Sequence, residues 1–319
     1  MKRIAVLTTG GDAPGMNPAI RSVVRCGISR GLEVMGVFRG WFGLINEDLK
    51  VFDHRSVSGI INQGGTILKT GRCPEFTTDE SQDRAFNTVK KFGIDGLVVI
   101  GGNGSFAGAH KFGTKYNVPC VGIPASIDND ISGIDVTIGS DTAVNTALMA
   151  IDNIRDTATS MERIFVVEVM GRDCGFIALS VALAGGCEDV IIPELKPNWE
   201  RIHHDIVQGN IRGKVSWIVV VAEGAGRAVD IAKQITEETS LETRPVVLGY
   251  IQRGGRPTAF SRDLALRLGE AAIDSLLKGE KDLAVGLCCG RIKNVDFATA
   301  IQKKDLKAEY WYNLIKKLT

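Results

Sequence analysis

Short apolar runs alternate with longer amphipathic segments along the chain. The short runs are rich in β-branched residues and lack polar alternation, which is typical of strands buried on both faces. The longer segments repeat apolar residues at helical spacing. This alternation predicts an α/β protein with mostly parallel strands. The predicted strands are residues 3–7, 33–38, 96–100, 120–123, 164–170, 189–193, 216–222 and 245–250.

Two of the intervening helices have clear boundary signals. Asn17 is the predicted N-cap of the first, with Pro18 at its first position and Gly31 as a stop after residues 20–30. Asp141 is predicted to open the second. The apolar face of that helix comprises Val144, Ala147, Leu148, Ile151 and Ile154. No low-complexity linker interrupts the chain, so a domain boundary is expected in an ordinary loop, residues 130–139.

Composition excludes several classes of function. The chain has 319 residues, enough for two domains or one large one, and 38 basic against 37 acidic residues leave a net charge of +1. That balance gives no electrostatic case for nucleic acid or an anionic membrane. No apolar run is long enough for a signal peptide or a membrane span. The seven cysteines lack paired CxxC spacing, which indicates reduced thiols and a cytoplasmic protein.

Two glycine-rich loops follow predicted strands. They are LTTGGDAPGMN, residues 7–17, and VVIGGNGSFAGA, residues 98–109. A loop between a parallel strand and a helix directs backbone N–H groups and the helix dipole at one point, which suits phosphate. Neither loop is a P-loop, and the second fits a dinucleotide fingerprint only in its looser form. Each loop alone is equally consistent with a tight turn.

An acidic loop, GIPASIDNDISG, follows another predicted strand at residues 122–133. Its carboxylates Asp128 and Asp130 lie two residues apart. One of them is suited to accept a proton and the other to hold a metal ion. The alternative is a loop shaped by Asx turns, with no chemical role.

Taken together, the motifs resemble the bacterial phosphofructokinase A family. The resemblance runs in order through nearly the whole chain, and its motifs are GGDAPGMN at 10–17, GGNGS at 101–105, IDND at 127–130, VMGR at 169–172, AEG at 222–224 and QRGG at 252–255. Members of this family transfer the γ-phosphoryl group of ATP to the 1-hydroxyl of fructose 6-phosphate, with Mg²⁺. The resemblance thus implies a cytoplasmic glycolytic kinase.

The family fold implies two α/β domains, each with a central, mostly parallel sheet flanked by helices. Residues 1–138 plus 252–304 would bind ATP, and residues 139–251 plus 305–319 would bind fructose 6-phosphate. The substrates would meet in the cleft between the domains. The resemblance also implies a homotetramer with shared active and effector sites.

Matching positions carry the family's site roles. The catalytic group would be Asp128 as general base, with Ser126, Arg172, Arg72 and Gly11. The ATP site would comprise Gly11, Arg72, Cys73, Gly102, Asn103, Gly104, Ser105 and Gly108. The sugar-phosphate site would comprise Ser126, Asp128, Asp130, Arg163, Met170, Gly171, Arg172, Glu223, Arg244, Tyr250 and Arg253, with Arg163 and Arg244 from a neighbouring subunit. Asn103 and Asp130 would lie at the Mg²⁺.

A separate basic group suggests an effector site. Arg21 and Arg25 lie four residues apart, so they share one helix face, which fits either an anion site or a solvated surface. The resemblance extends the group to positions that bind ADP or phosphoenolpyruvate: Arg21, Arg25, Arg55, Arg155, Glu188, Arg212 and Lys214. Val215 replaces a further basic residue of the family.

The chain departs from the family pattern at several positions. Asn103 replaces a magnesium-associated aspartate, which predicts weaker Mg²⁺ binding or slower turnover because an amide has no charge. Tyr250 replaces a histidine near the sugar phosphate. Other departures are Ala125, Ser126, Phe176 and Trp41.

Donor choice can be read from two positions. Pyrophosphate-using relatives carry Asp and Lys where this chain has Gly104 and Ala125, so ATP is the expected donor.

The sequence is also compatible with two other functions. One is a diverged paralogue with weak or no kinase activity that serves as a ligand-binding or regulatory subunit, because Asn103 removes a charge. The other is a nicotinamide dehydrogenase. Against the first, Asp128 and every arginine named above are retained.

Overall fold

The computed structural model describes residues 1–319. The strands are β1 (Arg3–Thr8), β2 (Glu33–Val37), β3 (Leu49–Phe52), β4 (Gly96–Gly101), β5 (Cys120–Ser126), β6 (Ile138–Gly139), β7 (Ile164–Val169), β8 (Asp189–Ile191), β9 (Trp217–Ala222), β10 (Thr243–Val247), β11 (Leu283–Cys288) and β12 (Arg291–Asp296). The helices are α1 (Met16–Ser29), α2 (Trp41–Ile45), α3 (Asp79–Lys91), α4 (Asn103–Tyr116), α5 (Ser140–Met161), α6 (Phe176–Ala184), α7 (Trp199–Ile211), α8 (Ala228–Thr239), α9 (Ala259–Leu277), α10 (Phe297–Ala300) and α11 (Ala308–Leu318). Short 3₁₀ helices span Pro74–Thr77 and Gly249–Gln252.

The chain divides into two compact units. The first contains Met1–Thr142 and Arg253–Lys304, and the second contains Ala143–Gln252 and Asp305–Thr319. Each unit has its own sheet. None of the helices combines the length and apolar character that crossing a membrane requires.

The sheet of the first unit has the order β12-β11-β5-β4-β1-β2-β3, with β6 paired to β5. Strands β2, β1, β4, β5 and β11 are parallel, whereas β3 and β12 pair antiparallel at the two edges. From β1 the chain continues to β2 on one side, and β4 and β5 lie on the other. The strand order therefore reverses between β1 and β4, and in such sheets ligands bind beyond the carboxyl ends at this point.

Continuous apolar strands form the core of the first unit. Every residue from Ile4 to Leu7 and from Leu97 to Ile100 is fully buried. Phe106 of α4 packs against Phe297 of α10, with ring centroids 5.2 Å apart. Each such side chain stabilises the fold by about 1.5–3 kcal/mol. The rigid core holds the ends of β1, β4 and β5 at fixed positions.

The second unit is built on a fully parallel sheet in the order β10-β7-β9-β8. Its core includes Val166, Val219, Val221, Ile231 and Ile235. The C-terminal helix α11 belongs to this unit, since Nζ of Lys316 donates to the carbonyl oxygen of Glu188 at 3.1 Å.

The predicted α/β fold class is confirmed, and each of the eight predicted strands overlaps an observed strand. The last of them, predicted at 245–250, ends at Val247, because a 3₁₀ helix begins at Gly249. The pattern missed β3, β6, β11 and β12. Strand β12 is mostly exposed because it lies at an edge, and it carries Arg291, Lys293 and Asn294 where a buried strand would be apolar. Strand β6 has only two residues.

The predicted start of the first helix was wrong. Helix α1 begins at Met16, with Gly15 as N-cap. Asn17 lies inside the helix, where its side chain donates to the carbonyl oxygens of Gln63 and Gly64 and accepts from the N–H of Ile67. The side chain of Asn17 therefore bonds to a distant loop instead of capping the helix. Gly31 follows the helix with φ +80°, as predicted.

Candidate active site

The two glycine loops are joined directly at the carboxyl ends of β1 and β4. The N–H of Thr9 donates to the carbonyl oxygen of Ile100 at 3.1 Å, and the hydroxyl of Ser105 donates to the carbonyl oxygen of Thr9 at 2.9 Å. Ser105, one of the predicted ATP-site residues, is buried, and its hydroxyl fastens one loop to the other. The loops therefore form one surface.

Two arginines lie beside the first loop. The N–H of Gly10 donates to the carbonyl oxygen of Gly71 at 3.1 Å, which places Arg72 next to this loop. Nη1 of Arg253 donates to the carbonyl oxygen of Asp12 at 3.1 Å. A Cβ on Gly11 would overlap the Arg253 guanidinium. Gly11, Arg72 and Arg253, which are far apart in sequence, thus share one region of the first unit.

The second loop leads straight into the N-terminus of α4. Gly102 is the N-cap, and no side chain caps the helix there. A Cβ on Gly101 would collide with Ser105 and the Thr9 backbone, whereas a Cβ on Gly104 meets no atom within 4 Å. Packing therefore explains Gly101, but it does not explain Gly104. Open space beside a helix N-terminus is where an anionic ligand is stabilised.

An aromatic pair, Trp41 and Phe76, packs beside Gly108 of α4. The ring of Trp41 stacks on Phe76 at 4.1 Å, and Nε1 of Trp41 is buried without a hydrogen-bond partner. A Cβ on Gly108 would lie 3.2 Å from that nitrogen. Cys73 packs nearby, and burial raises the pKa of its thiol. Cys73 is therefore a packing group and a poor nucleophile at neutral pH.

The acidic loop after β5 is connected to the second glycine loop. Nδ2 of Asn103 donates to Oδ2 of Asp130 at 2.9 Å and to its carbonyl oxygen at 3.1 Å. The hydroxyl of Ser126 donates to Oδ1 of Asp130 at 3.2 Å. The same hydroxyl accepts the N–H of Asp128 at 3.3 Å. Asn103, Ser126, Asp128 and Asp130 therefore form one hydrogen-bonded group, and Asp128 within it is 8% exposed.

A second asparagine fixes the shape of this loop, and the sequence motifs did not predict a role for it. Asn129 is buried at φ +50°, donates to the carbonyl oxygen of Asp135 and accepts the N–H of Thr137 at 3.0 Å. The hydroxyl of Thr137 donates to the carbonyl oxygen of Ser126 at 2.5 Å. An asparagine between two aspartates, at a sharp change of chain direction, was the available signal.

We expect Asn129→Ala to destabilise the protein by about 2–4 kcal/mol. Two terms contribute: the Thr137 N–H loses its buried acceptor, and alanine disfavours the left-handed backbone. Thermal unfolding measures the loss. Asn129→Gly separates the terms, since glycine adopts the conformation freely and removes only the hydrogen bonds. Asn129→Ala unfolding at the wild-type temperature would contradict this role for the loop.

The oxygen atoms in this region suit Mg²⁺. Asp130 supplies a carboxylate, and Oδ1 of Asn103 is buried without a hydrogen-bond partner. Both are hard oxygen ligands of the kind that Mg²⁺ selects. No group of three or more Asp, Glu, His or Cys side chains is arranged to hold a metal. The protein therefore offers a partial site, which fits an ion that arrives with a phosphate ligand.

In the second unit, the loops after β7 and β9 come together. The N–H of Arg172 donates to Oε1 of Glu223 at 3.1 Å, and the N–H of Met170 donates to Oε1 of Gln252 at 3.4 Å. Gly171 has φ +144° and Arg172 has φ +50°, so the chain turns sharply here. The predicted group Met170, Gly171, Arg172 and Glu223 is thus assembled at one edge of the sheet.

Two other predicted sugar-phosphate residues lie at the amino-terminal ends of the strands of that sheet. Arg163 precedes β7, and Arg244 is the second residue of β10, paired with Phe165. Both arginines contact Glu242. Burial opposes ionisation of Glu242, but hydrogen bonds from Arg244 and Arg163 lower its pKa overall. A strand of six residues spans about 20 Å, so within one chain Arg163 does not reach the Met170–Glu223 group.

The predicted effector residues form one group in each unit. In the first, Arg21 and Arg25 are half-buried on one face of α1. Nη1 of Arg21 donates to the carbonyl oxygen of Val57 at 2.8 Å, two residues after Arg55. Burial, followed by repulsion from Arg25, lowers the pKa of Arg21. In the second, Oε1 of Glu188 forms ion pairs with Nζ of Lys214 at 3.1 Å and with Nη1 of Arg155 at 3.9 Å. Arg212, two residues before Lys214 in sequence, is the C-cap of α7.

Tyr250, which was predicted at the sugar-phosphate site, is 81% exposed.

Comparison with known proteins adds independent information. The profile of the family described as "Phosphofructokinase" matches residues 3–276. The chain is 52% identical over 319 residues to the ATP-dependent 6-phosphofructokinase of Bacillus pumilus, covering 100% of both chains. It is 51% identical over 312 residues to that of Clostridium acetobutylicum, covering 97% of this chain and 98% of the relative.

Solved structures agree with the sequence comparison. The phosphofructokinase structure from Saccharomyces cerevisiae superposes with a TM-score of 0.89 at 33% identity, covering 100% of this chain and 48% of the yeast chain. A pyrophosphate-dependent phosphofructokinase from Marinobacter aquaeolei shares the fold, with a TM-score of 0.85 at 21% identity over 99% of this chain and 91% of that one. The family match, the full-length identity and the shared fold place this chain in the phosphofructokinase family.

Proposed function

We infer that this chain is an ATP-dependent 6-phosphofructokinase, which transfers the γ-phosphoryl group of ATP to the 1-hydroxyl of fructose 6-phosphate. The observation that carries this proposal is the convergence of two glycine loops and the Asp128 loop at the carboxyl ends of β1, β4 and β5. The named activity of relatives more than 50% identical over the full chain supports it.

The side chains of the first unit suit this reaction. The carboxylate of Asp128 takes the proton of the sugar hydroxyl as the hydroxyl oxygen bonds to the γ-phosphorus and the bond to ADP breaks. A positioned general base contributes about 10²–10⁴-fold to the rate. Arg72 and Arg253 neutralise charge that develops on the phosphoryl oxygens. The protein supplies mainly alignment and positive charge.

Asp130 and Oδ1 of Asn103 would hold Mg²⁺ that arrives bound to ATP. When bound, the ion neutralises the phosphate oxygens. With only one charged ligand from the protein, we expect most of the coordination to come from phosphate and water. The hydrogen bonds within the Asn103–Asp130 group keep these oxygens in place for that task.

A complete sugar-phosphate site would need a second subunit. At the amino-terminal ends of the parallel strands lie Arg163 and Arg244, and at the carboxyl ends lie Met170, Arg172 and Glu223. Arg163 and Arg244 would therefore serve the site of a neighbouring chain in a homotetramer. The basic groups around Arg21 and around Arg155 and Lys214 would bind ADP or phosphoenolpyruvate as effectors. We propose that the enzyme works in the cytoplasm.

The diverged-paralogue alternative is not favoured. Asn103 is integrated in the site through two hydrogen bonds to Asp130, rather than left as a defect. The relatives that match this chain over nearly their whole length, at about 50% identity, are named ATP-dependent 6-phosphofructokinase. The dehydrogenase alternative has no support from the family match.

The proposal is tested by ADP production from ATP and fructose 6-phosphate across a magnesium titration. We expect turnover that depends on both substrates and on Mg²⁺. Reactions without the sugar phosphate measure background ATP hydrolysis, and pyrophosphate in place of ATP tests the donor. Asn103→Asp is expected to need less free Mg²⁺ for half-maximal rate, since it adds a charged ligand. Turnover by Asn103→Asp alone would instead support the regulatory alternative.

A further inference from the structure

Asn103 gives the Asp130 carboxylate a neutral partner. Oδ2 of Asp130 accepts from the Asn103 amide at 2.9 Å, and Oδ1 accepts from the Ser126 hydroxyl at 3.2 Å. Neither donor carries a charge. The carboxylate is therefore held by hydrogen bonds that form without any cation.

A carboxylate at position 103 would reverse this relationship. Its oxygen would stand in the place of Nδ2, within hydrogen-bond distance of Oδ2 of Asp130, with no proton between them. Two carboxylates this close repel unless a cation separates them. The residue at position 103 thus decides whether the Asp130 loop requires a divalent ion before any nucleotide binds.

The effect extends to the proposed general base. Asp130 is joined through Ser126 to the backbone N–H of Asp128. On its other side, Asn103 is the first residue of α4, anchored by the buried residues Ser105 and Phe106. The amide of Asn103 therefore connects the rigid start of α4 to the loop that carries Asp128.

We propose that Asn103 is a positioning residue that holds Asp130, and through Ser126 the Asp128 loop, in place without a divalent cation. The free enzyme is then organised before Mg²⁺ binds, and the ion enters with the nucleotide. The chemical roles of Asp128 and Asp130 rest on the proposed function, but the metal-independent hydrogen bonding does not.

Thermal unfolding in EDTA and in excess Mg²⁺, without nucleotide or sugar, tests the proposal. The wild type is expected to unfold at the same temperature in both. Asn103→Asp is expected to unfold about 3 °C lower in EDTA and to recover in Mg²⁺. Asn103→Leu loses the donors without adding charge, so it should be destabilised equally in both conditions. Asn87→Asp adds a charge on the exposed face of α3 and serves as the control.

An exchange of the two residues provides the sharpest arm of the test. In Asn103→Asp with Asp130→Asn, the amide at position 130 can donate to the carboxylate at 103 and still accept from Ser126. The double variant should therefore regain most of the lost stability in EDTA. No loss for Asn103→Asp, no recovery in the double variant, or stabilisation of the wild type by Mg²⁺ alone would each overturn the proposal. Because these readouts need no turnover, they stay separate from failure of the kinase assay.

Discussion

Asp128→Asn is expected to lower kcat by about 10²–10⁴-fold, while the KM values for ATP and fructose 6-phosphate change little. The amide keeps the shape of the carboxylate but cannot accept the proton of the sugar hydroxyl. Since phosphate binding depends on arginines and backbone N–H groups, ground-state affinity should survive. A loss in kcat without a loss in KM marks an interaction made in the transition state. Initial rates of ADP production measure both parameters.

A matched control lies seven residues along the same loop. Asp135 is exposed, and its carboxylate accepts the N–H of Gly290 at 3.2 Å, a role that an amide oxygen can keep. Asp135→Asn also removes one negative charge from the loop, so it should retain nearly full activity. If Asp128→Asn retained the wild-type kcat, another group would have to be the base. If both variants fell equally, the effect would belong to the charge of the loop.

The sequence predicted the fold well because most of its information is local. Strands β4 and β9 are continuous apolar runs, a pattern typical of strands buried on both faces. The sequence also placed the glycine loops and the Asp128 loop at strand ends, which suffices to bring them to one edge of a parallel sheet. Edge strands such as β12 were not predicted, because they are largely exposed to solvent and their sequences are not continuously apolar.

Side-chain partners were harder to predict because they depend on tertiary contacts. Ser105 could donate to a phosphate or to the backbone, and only the position of Thr9, 96 residues earlier, decides the matter. Asn17 appeared to be a helix cap until the loop at Gln63 claimed its amide. Asn103 could be identified as a departure, but its hydrogen bonds to Asp130, 27 residues away, follow from how α4 meets β5.

The resemblance alone implied that two chains share the sugar-phosphate site, and within this chain the strand geometry separates the residues assigned to it. Arg163 precedes β7 and Met170 follows it, so the length of the strand separates them. No side-chain rearrangement bridges about 20 Å. Either Arg163 and Arg244 serve another chain, or they take no part in binding this substrate.

Gly104→Asp is expected to raise the KM for ATP by about 10–100-fold, equivalent to about 1.4–2.7 kcal/mol, without destabilising the fold. A Cβ at Gly104 meets no protein atom within 4 Å, so the new side chain enters open space. Gly104 is the second residue of α4, where a carboxylate favours the helix dipole and replacement of glycine favours the helix. Thermal stability should therefore be maintained or increased. The same carboxylate would occupy the region where we place the ATP phosphates and would repel them.

Steady-state titration of ATP at saturating fructose 6-phosphate measures this change, and Gly104→Asn separates charge from size. A large rise in KM for the aspartate variant with a small one for the asparagine variant would indicate repulsion of the phosphates. Equal rises would indicate that the side chain fills the nucleotide's space. Unchanged ATP kinetics in Gly104→Asp would mean that the nucleotide does not approach the start of α4, and the ATP site would then have to lie elsewhere. Because a Cβ at position 104 meets no protein atom within 4 Å, a change in KM with unchanged thermal stability reports on the ligand and not on the fold.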